Sequence, residues 1–251
     1  WDENQFETMY LLYSLYLENL AAASKHSTKE YYSVQVKLQE LIITLFFREI
    51  FHLLATQSAQ KIVFPTYEAK IIIEDFINVI DTEKLFTYLE NAKNPYTGYL
   101  KVHYLLYYFT EFEMTEEEYF ELKSKLYAII YDVSKREAKV FIERLIQIIL
   151  YRLVPLKREY YQEIFELSKL FCELKIFPSK KIAFWGAGSF RDMFTASVIL
   201  MELDWAENFV KEYSQYLMED IREDEYNYCM GNISFKRKNY ELSLEYLNKV
   251  K

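Results

Sequence analysis

Apolar residues recur along this chain at intervals of three and four, with polar residues between them. That spacing keeps one face of an α-helix apolar, whereas a half-buried strand alternates with a period of two. Leu11, Leu12, Leu15, Tyr16 and Leu20 mark a first helix over residues 4–24. Ser27 and Thr28, followed by Glu30 and Tyr31, open a second that runs to about residue 61 and is unusually long. Phe64-Pro65-Thr66 breaks it, and Thr66 is placed to cap a helix over residues 67–80. Asp81-Thr82 starts a short helix to residue 92, and Asn94-Pro95-Tyr96-Thr97-Gly98 is the clearest turn. A tyrosine-rich helix over 99–112 follows. Thr115-Glu116-Glu117-Glu118 then combines a cap with acids at the positive end of a helix, which is expected to reach residue 133. Ser134 caps residues 135–153, Pro155 ends that helix, and residues 157–176 resume. Residues 177–188 form the one long irregular stretch, with Ser189 as the cap of what comes next. The pattern predicts an all-α chain of about twelve helices in antiparallel pairs, without a convincing strand.

The last part, residues 189–251, holds its pattern in a fixed register. Met230-Gly231 sets a small residue in mid-helix, Phe235 follows a turn later, and Lys238-Asn239 breaks the helix. Tyr240 opens a second helix with Ser243, Leu244 and Leu247 inward. Two helices crossing at short range need a small residue at the crossing, here Gly231. The aromatic beside the turn fills the wedge between them. Moving the frame back by 35 residues sets Ala196 on Gly231, Leu200 on Phe235, Trp205 on Tyr240 and Phe209 on Leu244. The turn Leu203-Asp204 then falls on Lys238-Asn239.

This arrangement resembles the tetratricopeptide (TPR) repeat, a helix pair with a period of about 34 residues. It departs from that pattern in two places: Asn208 takes the second small position, and no proline ends either unit. Trp205-Ala206-Glu207-Asn208-Phe209, Ile221-Arg222-Glu223 and Tyr226-Asn227-Tyr228 are similar to a family of uncharacterised, TPR-like bacterial proteins of the Bacteroidetes and their relatives. Leu38-Gln39-Glu40 to Phe47-Arg48 is similar to that family's first block. The resemblance implies an α-solenoid of helix pairs and carries over no catalytic residue. The expected organisation is an irregular helical-hairpin region over 1–188 and TPR-like units over 189–251. Leu244, Tyr246 and Leu247 leave an apolar surface on the last unit, and a repeat array needs a polar cap. Further repeats are therefore expected beyond residue 251, along with self-association through this C-terminal end.

Composition sharpens the picture. Glycine and proline number 4 each in 251 residues, which favours long helices with short connections. Hydrophobic residues make up 51% and aromatics 18%, too much for a disordered chain. The formal net charge of −8 repels a phosphate backbone overall, so nucleic acid is a disfavoured partner. Cys172 and Cys229 sit in apolar helical patterns and read as buried free thiols of a cytoplasmic protein. The most apolar run, residues 41–55, is too short for a membrane span and contains Arg48, Glu49 and His52.

Candidate chemistry is sparse. Gly186-Ala187-Gly188 after an apolar run imitates a phosphate-binding loop, in which glycines let backbone amides approach a pyrophosphate. Arg191 occupies the third glycine position, and no βαβ unit frames the loop. His26, His52 and His103 are far apart and lack metal-ligand spacing; His103 shares a helix face with Tyr107 but has no nearby carboxylate in sequence. Glu116, Glu117, Glu118 and Glu121 read as a solvated, helix-capping face. Among Tyr104, Tyr107 and Tyr108 at least one must be exposed or reach a cavity, because they span more than one helix face.

The reading is a non-enzymatic scaffold or adaptor, without cofactor or metal, that binds a protein or peptide on a concave face. In the TPR-like pattern that face uses Tyr228, Asn232, Phe235 and Lys236 of the last unit. Tyr228 stands where some TPR proteins carry a lysine of a carboxylate clamp, so a peptide C-terminus is disfavoured as the ligand. The alternatives are a pentatricopeptide-like RNA binder and a nucleotide-binding enzyme built on the Gly186/Gly188 loop.

Overall fold

The computed structural model describes residues 3–23, 25, 28–63, 72–176 and 187–250. Among them the protein is all-α, with no strand. Helices α1 (Glu3–Ala22), α2 (Lys29–Val63), α3 (Ile72–Ile77), α4 (Thr82–Asn91), α5 (Thr97–Glu111) and α6 (Glu116–Ile129) belong to a first compact unit. Helix α7 (Lys135–Ile148) begins in that unit. The second unit starts at Ala138 and holds α8 (Tyr161–Glu173), α9 (Ala187–Ile199), α10 (Leu203–Tyr213), α11 (Glu219–Lys236) and α12 (Tyr240–Leu247).

Local chemistry sets the helix starts. Asp81 accepts from the Lys84 amide at 3.0 Å and caps α4. Thr115 and Glu118 form a reciprocal capping box at α6, the Thr115 amide donating to Glu118 at 2.8 Å. Ser134 accepts from the Glu137 amide at 3.2 Å at the head of α7. That helix continues as one wide π-turn, Ile149–Leu153, before Pro155, whose ring nitrogen has no proton to give the preceding turn. Helix α6 stops at Ile129, short of the expected residue 133. Helix α9 starts at Ala187, so Ser189 lies inside its first turn and is not its cap. The expected helix over 67–80 is seen as α3, and its residues 67–71, with Pro65 and Thr66, lie outside the described residues.

Four helices end in the same way. Lys93, Lys175, Met201 and Lys238 follow α4, α8, α9 and α11 with φ of 53°, 50°, 61° and 64°. In each case the next amide reaches back five residues to a helix carbonyl, as Asn94 does to Leu89 at 3.0 Å and Asn239 to Ser234 at 2.9 Å. This closure satisfies carbonyls the helix end would otherwise orphan, and it favours glycine at the left-handed position. Here lysine takes that position three times.

In the first unit α2 packs on α1, α3 and α5, and α5 packs on α4 and α6. Leu20, Val34 and Leu38 form the α1–α2 seam, with Tyr13, Leu17 and Tyr31 around them. Phe51 of α2 stacks on Phe86 and meets Tyr104 at 5.3 Å between centroids. In the second unit α9 packs on α8, α10 and α11, α10 also on α11, and α11 on α12. Its core is aromatic: Trp205, Phe209 and Tyr213 stack at 5.1 and 5.0 Å along α10, and Phe190 of α9 stacks on Phe209.

Candidate functional site

The α9–α10 and α11–α12 turns are congruent. Leu200, Met201 and Glu202 donate to Ala196, Val198 and Ser197; Arg237, Lys238 and Asn239 donate to Ile233, Phe235 and Ser234. Each bond is repeated 37 residues later, not 35, and Leu203-Asp204 belongs to the first turn of α10. The turn is Met201-Glu202. In this register Ala196 matches Ile233, Trp205 matches Leu242, and Ala206 matches Ser243.

The four residues of the expected repeat signature therefore sit as follows. Ala196 is fully buried in α9. Trp205 stands edge-on to Phe165 at 5.0 Å. Gly231 lies where α11 and α12 meet: a Cβ there would come within 2.7 Å of the Leu247 Cγ. The Ser243 hydroxyl donates to the Gly231 carbonyl at 2.8 Å, which is possible because nothing stands between the two helices. Tyr240 is 56% exposed and packs edge-on against Phe235, so it lies on the surface of the turn and does not fill a wedge.

Tyr228, Asn232, Phe235 and Lys236 share one face of α11 by their four-, three- and one-residue steps. Tyr228, Phe235 and Lys236 are exposed, and Asn232 is half-buried. The Asn232 amide donates to the Tyr228 carbonyl at 2.8 Å, which leaves its carbonyl oxygen directed outward from that bond. The turn match sets Arg191, Thr195, Val198 and Ile199 of α9 at the corresponding places, and all but Val198 are exposed. The first pair is in contact: the Arg191 guanidinium stands 5.2 Å from the Tyr228 ring centroid.

Arg191 is fixed from below. Its Nε donates to Glu225 Oε2 at 2.7 Å and its Nη2 to Oε1, a two-pronged pair with a carboxylate that is nearly fully buried. Those bonds raise the guanidinium pKa further. A planar cation held this way offers its other edge and face to a partner with little loss of freedom. Sequence reading missed both Arg191 and Glu225; the available signal was a carboxylate at a core position of α11.

The first unit contains a buried polar cluster. Glu137 receives the Tyr99 hydroxyl and lies 3.0 Å from His103 Nε2 and 3.5 Å from Arg48 Nε. All four of these side chains are buried. No carboxylate stands near His103 in sequence, and the fold brings it one from a distance, Glu137 of α7. Burial pushes the Glu137 carboxyl up, but His103, Tyr99 and Arg48 together outweigh it and hold it below its ordinary value. Burial lowers the His103 pKa. The cluster ties α2, α5 and the start of α7. Tyr99 also lines a recess of about 120 Å³ with Pro95, Gly98, Ile129, Asp132 and Val133.

Of Tyr104, Tyr107 and Tyr108 on α5, Tyr107 is buried and Tyr104 lines a recess of about 230 Å³ between α4 and α5, its hydroxyl accepting from Thr82 at 3.1 Å. Glu118 serves its capping box, and Glu121 pairs with Lys125 at 3.3 Å. No His, Cys, Asp and Glu grouping fit for a metal ion occurs among the described residues. None of their helices is long and apolar enough to cross a membrane. His26 and Gly186 lie outside the described residues; Gly188 is in the first turn of α9 with open space where a Cβ would be. Comparisons with protein-family models, curated proteins and solved structures find no match to this chain.

Proposed function

We propose that the second unit is a non-enzymatic binding module. Its pairs α9/α10 and α11/α12 act as TPR-like units of an α-solenoid, and their first helices present a face for a protein or peptide partner. The observation that carries this reading is the side-by-side placement of equivalent positions, Arg191 on α9 against Tyr228 on α11. Contacts of α9 with α11 as well as α10 support it, because stacked pairs bring successive first helices together.

The row of exposed Arg191, Thr195, Ile199, Tyr228, Phe235 and Lys236, with half-buried Asn232 among them, mixes aromatic anchors with hydrogen-bonding groups on rigid helices, the composition of interface hot spots. An extended segment fits this chemistry: apolar side chains against Tyr228 and Phe235, main-chain donors to the Asn232 carbonyl, an acceptor for Lys236. A photo-crosslinking residue at position 232 should capture the physiological partner from cells, and the same group on α6, at position 121, should not. Phe235→Ala and Tyr228→Ala should each weaken that partner by about tenfold or more. Equal capture from both positions, or full affinity in both alanine variants, rules this face out.

A further inference from the structure

The row on α9 and α11 has a charge of its own. It holds two cations, Arg191 and Lys236, and no acid, on a chain whose formal net charge is −8. Arg191 is the more closely defined of the two. Its Nε and one Nη2 hydrogen go to Glu225, and its plane stands over the Tyr228 ring. The outward edge, formed by Nη1 and the second Nη2 hydrogen, has no partner among the described residues, and the side chain is 52% exposed. Parallel donors on one guanidinium edge match the two oxygens of a carboxylate.

We infer that this edge receives an Asp or Glu side chain of the bound segment, with a large apolar side chain roughly three to four residues away against Phe235. The inference rests on the partner face proposed above and names the chemistry of its occupant. Helix geometry sets the spacing. Phe235 lies two turns beyond Tyr228, about 10 Å along α11. An extended chain covers that distance in about three residues, at ~3.3 Å each.

A single carboxylate suits this end of the row better than a doubly charged phosphate. Lys236, the other cation, stands about 12 Å along α11 from Tyr228. Glu225 behind the guanidinium cancels much of its charge, and Asp224, one turn before Tyr228, adds a negative charge close by. The edge also discriminates. A segment that covers it with an apolar or basic side chain leaves exposed donors without water and without an acceptor. Because Glu225 and Tyr228 already hold the guanidinium in place, an acid pairs with it at little cost in side-chain freedom.

Selection of displayed random peptides on the full chain tests this, with the Tyr228→Ala variant used to remove unrelated binders. The peptides are flanked on both sides so that no free terminus is offered. The expected consensus is one Asp or Glu at a fixed place, about three to four residues from a Leu, Ile, Phe or Met. A synthetic consensus peptide, capped at both ends, should bind about tenfold more weakly or worse when its acid is replaced by the amide. That loss should vanish in the double variant Arg191→Met with Glu225→Gln, which removes the guanidinium without leaving a buried carboxylate unpaired. Circular dichroism and thermal melting check that this variant is folded. Arg191→Lys keeps the charge but cannot serve Glu225 and the peptide together, and should lose most of the discrimination. A Tyr228-dependent consensus without an acid overturns this inference and leaves the partner face standing. So does an acid-to-amide loss that persists in the double variant, or a phosphoserine peptide bound about tenfold more tightly than the acidic one. The absence of any Tyr228-dependent peptide removes the partner face, and this inference with it.

Discussion

Gly231 and Leu247 should be energetically coupled by about 1–2 kcal/mol. Alanine in mid-helix is favoured over glycine by about 0.5–1 kcal/mol, so on propensity alone Gly231→Ala would stabilise α11. The new Cβ, however, would stand 2.7 Å from Leu247 Cγ, 2.8 Å from its Cδ2 and 3.4 Å from the Ser243 carbonyl. Carbon atoms settle at about 3.5–4.0 Å, so Leu247 must retreat by nearly 1 Å or swing out. It is 38% exposed, and full burial of a leucine is worth about 1.5–3 kcal/mol. Giving up what remains buried therefore costs about 1–2 kcal/mol and cancels or exceeds the propensity gain. In a Leu247→Ala background the obstacle is gone, and Gly231→Ala should then stabilise by its about 0.5–1 kcal/mol. Gly231→Leu has no such relief and should cost on the order of 3 kcal/mol. Native-state hydrogen exchange of the α11 and α12 amides is the suitable assay, because it reads local opening of a helix pair separately from unfolding of the chain. Coupling below about 0.3 kcal/mol would refute a close crossing of α11 and α12 at Gly231.

Other outcomes follow from the titrating groups. The Glu137 carboxyl is held below its ordinary value, so its contribution is full above the carboxylate range and is lost as pH falls through it; His103, held neutral, adds loss below its ordinary 6.5 as the unfolded chain takes up a proton. Glu137→Gln should cost at least about 2 kcal/mol at pH 7 by exchange in α2 and α5, and should flatten the carboxylate part of that acid loss. Asp192 behaves oppositely: burial, then Glu143, raises its pKa to about 6, so stability falls as pH rises from about 4 to 6. Asp192→Asn should remove that fall and be the more stable protein at pH 7.5 by about 1–3 kcal/mol in urea titrations followed by Trp205 emission. Burial raises both thiols, Cys172 to about 11 and Cys229 higher, so neither should react with a thiol reagent at pH 8 until the chain is unfolded; fast native labelling of Cys229 would contradict its burial.

Helices with strong caps were legible in the sequence: Asp81, Thr115 and Ser134 each mark a start that the structure shows with its hydrogen bond. The repeat register was not, because its stop signal is conformational. Met201 enters the left-handed region without being glycine, and nothing in its identity announces a turn two residues before Leu203-Asp204. Alignment by side-chain type alone slipped by those two residues. The face of α11 could be drawn from spacing, since Tyr228, Asn232, Phe235 and Lys236 lie on a single helix. The Arg191–Glu225 pair and the Glu137 cluster join different helices, which periodicity cannot reveal. A partial signal existed for the latter: Glu137 continues the apolar stripe of Phe141 and Leu145, and Arg48 interrupts the apolar run of α2.

The four left-handed helix ends have a consequence for ionic strength. A non-glycine residue in that conformation costs roughly 1–2 kcal/mol, and a cation at a helix C-terminus returns about 0.3–1 kcal/mol by facing the negative end of the dipole. At Lys93, Lys175 and Lys238 charge thus offsets part of what glycine would have supplied by lacking a Cβ; at Met201 it does not. Added salt shortens the reach of that attraction to a few ångströms. The last turns of α4, α8 and α11 should then fray as salt rises while that of α9 holds, and the two otherwise congruent turns of the second unit would part company in brine.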